Sequence, residues 1–235
     1  MAKMVGFACS VKKQWLDKAV SLLEDDLGTD EYKKQINEYL SYEIDSPTRL
    51  RKTREILMNI WYYESENIED IRSEAVKLIK KYPDYSAAIY LCMIYLAYSV
   101  TSDIGRIMGR LFEYNEEVTN TIIKQKLYDE WGERGSLETT SRRFTLTLKE
   151  LNLLDNVSKT RYKAVRHIID SPDVVDFLIY VALKLENRTY YKLTELNNID
   201  FLFPFDYSIS KRSLLMNDKF ELSTIDNDIV VSFKL

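Results

Sequence analysis

TNTIIKQKLYDEWGERGSLETTSRRFTLTLKELNLLDNVSKTRYKAVR, residues 119–166, is the stretch whose reading decides the fold. Thr119 supplies a hydroxyl at the start of a run in which Ile122, Ile123, Leu127 and Trp131 recur at helical spacing, and Val118 is placed to staple onto Ile123. Gly132-Glu133-Arg134-Gly135 reads as a turn. Ser136 then opens a second helix, 136–152, with Phe144, Leu148 and Leu151 as its inward line. Thr139, Thr140, Arg142, Arg143, Thr145 and Lys149 fall to the outward side. Leu153-Leu154, the turn signal Asp155-Asn156 and the basic stretch Lys159-Thr160-Arg161-Tyr162-Lys163 follow, in the manner of a wing. Support helix, tight turn, basic helix and wing together predict a winged helix-turn-helix-like unit.

Charge separates this stretch from its surroundings. It holds ten Lys and Arg against six Asp and Glu, a net +4, whereas the other residues hold 23 against 31, a net −8. A polyanion would be oriented toward the positive segment even though the whole chain carries −4. Arginine pairs bidentately with guanine edges, and Thr and Lys contact phosphates. The expected contacts are therefore Thr139, Arg142, Arg143 and Lys149 on the helix, with Lys159, Arg161 and Lys163 on the wing. Winged helices also serve as protein–protein modules, and an exposed basic helix is an ordinary solvated surface, so DNA and protein partners both stay open.

Outward from this unit toward the N-terminus, the chain reads as successive amphipathic helices. Val11–Leu27 carries Trp15, Ala19, Leu22 and Leu23 on one stripe. Asp30 can cap a second helix, Ser46-Pro47 opens a third, Asn67 can cap a fourth that Pro83 stops, and Ser102 can cap a sixth. Between these last two lies the most apolar stretch, 86–100, about 15 residues long against the roughly 20 needed to span a bilayer, so it reads as a buried central helix. The third helix begins with a second basic cluster, Arg49, Arg51, Lys52 and Arg54, which Glu43, Asp45 and Glu55 are close enough to neutralise. Toward the C-terminus, Pro172–Glu186 reads as a helix, Phe201–Phe205 as a hydrophobic knot, and 208–216 as a short helix. The runs 219–225 and 228–235 around Asp226-Asn227-Asp228 read as a β-hairpin. A helix-plus-hairpin cap is the plainer account of this tail, and a second winged-helix-like unit the alternative.

The expected fold is thus mainly α: a helical bundle over 1–115, the winged helix-turn-helix-like unit over 116–170, and a helix and β-hairpin over 171–235. Six Gly and four Pro in 235 residues fit long regular elements. Cys9 and Cys92 are the two cysteines and His167 the one histidine, too few for a zinc site of about four N or S ligands. They read as reduced thiols of a cytoplasmic protein, and no cofactor is expected. The acidic runs Glu24-Asp25-Asp26 and 66–70 read as solvated charge. Gly105 and Gly109 read as helix-packing glycines rather than a phosphate loop, and no G-x-S-x-G or Walker motif is present. Catalysis, a small-molecule substrate and a membrane are not expected.

The order of a helical N-terminal half with Ser46-Pro47-Thr48-Arg49-Leu50-Arg51-Lys52, a central apolar helix, and a helix-turn-helix ending in Leu148-x-x-Leu151-x-Leu153-Leu154 resembles the BrxA-type accessory proteins of BREX phage-defence systems. It covers residues 11–155 through element order and short motifs. It implies a non-enzymatic protein that binds double-stranded DNA beside larger defence-system proteins. DNA contact is carried onto Arg142, Arg143 and Lys149, and further onto Arg49 and Lys52. The alternative is an adaptor whose winged helix docks on a larger partner enzyme.

Overall fold

A computed structural model describes residues 6–25, 27–64, 68–186 and 188–234, and it is mainly helical with a few small sheets. The proposed cap Asn67 and the acidic residues Asp26 and Glu66 lie outside the described residues.

The N-terminal half comprises α1 (Lys13–Ser21), α2 (Thr29–Ser41), α3 (Pro47–Trp61), α4 (Glu69–Lys81), α5 (Ser86–Ala97) and α6 (Ser99–Tyr114). Helix α3 starts where Ser46-Pro47 predicts: the Ser46 hydroxyl accepts from the Arg49 N–H, and Pro47 occupies the first helical position. Its other end is closed by a residue from α4. Arg72 is buried and donates to the carbonyls of Ile60 at 2.9 Å, Asn59 at 2.8 Å and Tyr63. A guanidinium there satisfies orphan carbonyls and opposes the negative end of the α3 dipole.

Helix α5 is apolar on every side because its neighbours surround it: residues 88–95 are all buried. Its tyrosines find partners through their hydroxyls, Tyr90 to Asp17 at 2.5 Å and Tyr95 to the Phe201 carbonyl at 2.9 Å. Among the described residues no helix is long and apolar enough to cross a membrane. Helix α6 begins at Ser99, three residues before the expected cap, and its glycines allow close approach. A β-carbon on Gly105 would lie 2.3 Å from the Tyr95 hydroxyl, and one on Gly109 would lie 1.9 Å from the Asp200 carbonyl oxygen.

After α6 come β1 (Val118–Thr119), α7 (Asn120–Trp131), α8 (Gly135–Glu150), β2 (Leu154–Asn156) and β3 (Arg161–Ala164). The strands form an antiparallel sheet in the order β1-β3-β2, with Val118 opposite Tyr162 and Asn156 also opposite Tyr162. Thr119 caps α7, accepting from the Ile122 N–H. Gly132, at φ 74°, makes the α7–α8 turn, and Asn152, at φ 58°, ends the helical backbone after α8.

The remainder holds β4 (His167–Ile169), α9 (Pro172–Glu186), β5 (Tyr191–Lys192), β6 (Phe205–Tyr207), α10 (Lys211–Met216), β7 (Phe220–Ile225) and β8 (Asp228–Phe233). Strands β4 and β6 pair in parallel, tying the chain after the first sheet to the hydrophobic knot. The expected hairpin is β7–β8, turned on Asp226 and Asn227, both at positive φ. Strand β5 pairs with β8, giving the order β5-β8-β7. This is the order of the first sheet: a short strand after a helix lies beside the last strand of a hairpin. The strand order therefore occurs twice, although two helices, α7 and α8, precede the first hairpin and β6 with the short α10 precede the second. One buried cluster, reaching from Phe7 to Val231, joins both units to the N-terminal helices.

Candidate nucleic-acid interface

Successive α-helical residues are 100° apart, which divides α8 into two faces. Leu137, Thr140, Ser141, Phe144, Thr145, Thr147 and Leu148 are buried. The opposite arc carries Thr139, Arg142 and Glu150 in the open, with Arg143, Leu146 and Lys149 half-buried. Thr139, Arg142, Leu146 and Lys149 follow the 3- and 4-residue spacing of one stripe.

Two expected outward residues belong to the other face. Thr140 and Thr145 are 2% and 1% exposed. The Thr145 hydroxyl donates to the Ser141 carbonyl at 2.9 Å, and Thr140 turns toward the N-terminal segment 6–12. That segment lies along a flank of α8. The Phe7 N–H donates to the Thr140 hydroxyl and the Val11 N–H to the Thr147 hydroxyl at 2.9 Å. The Phe7 ring sits edge-on to Phe144 and to Tyr98. Similarly, Ile122 of α7, expected inward, is 45% exposed, while Ile123 and Leu127 carry the inward face.

The free arc is bordered on one side by a notch of about 160 Å³ lined by Asn120, Thr121, Lys124, Glu138, Ser141 and Arg142. Lys124 pairs with Glu138 at 3.1 Å, whereas Arg142 makes no ion pair among the described residues. Arg143 leans to the other side, its Nε buried without a hydrogen-bond partner. The β2–β3 loop adds Lys159, exposed. Arg161 and Lys163 share the exposed face of β3 while Tyr162 points inward, where its hydroxyl accepts from Asn120 at 2.7 Å. Both cations have partners, Arg161 with Glu117 at 3.4 Å and Lys163 with Asp155 at 3.8 Å. Such exposed pairs are worth at most about 1 kcal/mol, so a phosphate can displace the carboxylates.

The α3 cluster is less neutralised than its sequence suggests. Arg54 binds Glu55 through Nε at 3.0 Å and Nη2 at 2.6 Å. Burial works against ionising Glu55, but the bonds from Arg54 and Tyr63 outweigh it and hold its carboxyl below the ordinary value. Glu43, by contrast, is engaged by Lys12 at 2.5 Å, by the Trp15 indole at 3.2 Å and by Gln14. Arg49, Arg51 and Lys52 are exposed and make no ion pair among the described residues. Among the described residues they share no ion pair or hydrogen bond with α8 or the β2–β3 hairpin.

Other chemistry-bearing groups serve packing. Cys9 and Cys92 are free and buried, and burial pushes the Cys92 thiol far up. A ring nitrogen of His167 is 2.8 Å from the Asn152 carbonyl. Arg166, inside the positive stretch, donates to the Phe203 carbonyl at 2.5 Å. Among the described residues, no group of three or more His, Cys, Asp or Glu could hold a metal ion. No family model, curated protein or solved structure matches the chain.

Proposed function

We propose that this is a non-enzymatic DNA-binding protein whose helix α8 enters the major groove of double-stranded DNA, with the β2–β3 wing on the adjacent backbone. The path α6-β1-α7-α8-β2-β3 with sheet order β1-β3-β2 supports a winged helix-turn-helix reading, in which α8 would hold the position of the recognition helix. The observation that carries the reading is the free arc of α8, with Thr139, Arg142 and Lys149 on one stripe and Arg143 beside it. The resemblance to BrxA-type proteins supports a role as an accessory of larger phage-defence proteins.

Methylation interference on duplexes selected from a randomised pool tests the groove assignment. Methyl groups at guanine N7, which faces the major groove, should block binding. Interference confined to adenine N3 in the minor groove would overturn it.

One observation favours a second reading, an adaptor docking on a protein. The C-terminal unit offers an apolar surface instead of a basic one: Leu215 and Met216 on α10 and Ile225 in the hairpin are exposed. The turn that follows Ile225, Asp226-Asn227-Asp228, carries two acidic residues. Co-purification of a stable partner without DNA would favour that reading.

A further inference from the structure

The groove beside α3 has a shape and charge that the α8 arc does not account for. It has a volume of about 400 Å³ and is lined by Gly6 and Ala8 of the N-terminal segment and, from α3, by Arg51, Lys52, Arg54, Glu55 and Asn59, with Tyr98 among its walls. Of its three cations only Arg54 is neutralised, by Glu55. Arg51 and Lys52 stand in the first half of α3, and no acidic residue lies in its first turn. Tyr98 and Asn59 provide a polar lining, with Asn59 donating to the Tyr98 hydroxyl at 2.9 Å.

The groove also has a fixed relation to α8. Phe7 lies between them, its ring centroid 5.2 Å from Tyr98 at the groove and 6.1 Å from Phe144 in α8. The Tyr98 ring and the Phe144 ring, the latter on the buried face of α8, are therefore no more than about 11 Å apart, which puts the groove on the flank of α8 that carries the N-terminal segment. An α-helix with its side chains is about 10–12 Å across and fills a major groove about 12 Å wide. One strand of a duplex so occupied passes about a helix width to the side of that helix.

We infer that the α3 groove is a phosphodiester site for the strand flanking α8, with Arg51 and Lys52 as its charges and the N-terminal segment as the wall that fixes its offset. This rests on the DNA reading above and adds a second, sequence-independent foothold to it. Arg143 leans toward the same flank, between the α8 stripe and the groove, and the wing contacts the opposite strand.

The test is the salt dependence of binding to a mixed-sequence 30-base-pair duplex. It compares the full-length protein, Arg51→Ala with Lys52→Ala, and a charge-matched control, Lys34→Ala with Lys77→Ala, on exposed faces elsewhere. Each lost phosphate contact lowers the slope of log K against log salt by about 0.9. The α3 variant should lose about 1.8 of slope, so that between 50 and 200 mM salt its affinity falls about tenfold less than that of the unaltered protein. The control should keep the full slope. An unchanged slope in the α3 variant overturns the groove assignment and leaves the α8 reading standing, as does an equal loss in the control. Failure of the unaltered protein to bind DNA at low salt removes both.

Discussion

The hydroxyl of Thr147, on α8, accepts a hydrogen bond at 2.9 Å from the backbone N–H of Val11, 136 residues earlier in the chain. The same hydroxyl donates to the Arg143 carbonyl at 3.1 Å, so both of its roles are used. This bond helps to fix which arc of α8 stays free, because it seats the N-terminal segment along one flank. Thr147→Val keeps the volume but leaves the Val11 N–H unpaired in a buried setting. The expected loss is about 1–3 kcal/mol in urea unfolding. Thr147→Ser retains the hydroxyl and should recover the hydrogen-bonding part. Equal stability of the valine variant would mean that the segment is held by Phe7 alone.

Helix α6 and the knot at 200–202 meet through a missing side chain. The space for a Gly109 β-carbon is taken by the Asp200 carbonyl, a backbone atom that no rotamer change can move away. Gly109→Ala should therefore cost at least about 1–3 kcal/mol, the range for overpacking a filled core. Its thermal midpoint should drop further than that of Gly105→Ala, whose β-carbon meets a side chain, the hydroxyl end of Tyr95, rather than backbone. The reverse ranking would contradict this packing.

Asp176 gives the C-terminal unit a pH signature. It is buried on α9, and its Oδ2 accepts from Ser213 at 2.7 Å and Asn217 at 3.2 Å, while Oδ1 has no partner. Burial raises its pKa, the bonds from Ser213 and Asn217 offset part of that, and the charges of Asp173 and Glu74 add to it. A raised carboxyl pKa means that the folded state binds the proton more tightly than the unfolded chain does. The contribution to stability is present below the ordinary carboxylate value and lost as pH rises through the folded value. Asp176→Asn removes the buried charge and can still accept from Ser213. The melting temperature of the variant minus that of the unaltered protein should be greater at pH 7 than at pH 4. A difference independent of pH would contradict the assignment.

Part of the punctuation was legible because caps and turns act locally, although Asp30, Ser102 and Ser136 lie inside the helices that they were expected to cap. Thr119, Ser46-Pro47 and the Asp226-Asn227 turn each do what their residue types favour. The inward line Phe144, Leu148 and Leu151 was legible from helical period. Thr140 and Thr145 were not, because a threonine hydroxyl can be buried when it bonds to backbone, and the segment seated on Thr140 is 133 residues distant. Arg72 carried no signal either: its carbonyl partners lie 9 to 13 residues back, in the last turn of another helix and just past it. The repeated strand order was hidden by size, since α10 spans six residues and β5 two. The α3 cations lie near acids in sequence, yet Glu43 turns instead to Lys12 and Trp15.

The most direct test of the α8 reading is fluorescence anisotropy with a labelled duplex at 100 mM salt, comparing the unaltered protein with Arg142→Glu plus Lys149→Glu. Both side chains reach solvent and neither has an ion pair among the described residues, so the fold should be retained by circular dichroism. Base and phosphate contacts of about 1–3 kcal/mol each predict a loss of affinity of about thirtyfold or more. Equal affinity of the folded double variant and the unaltered protein would contradict the assignment of α8 as the DNA-reading helix.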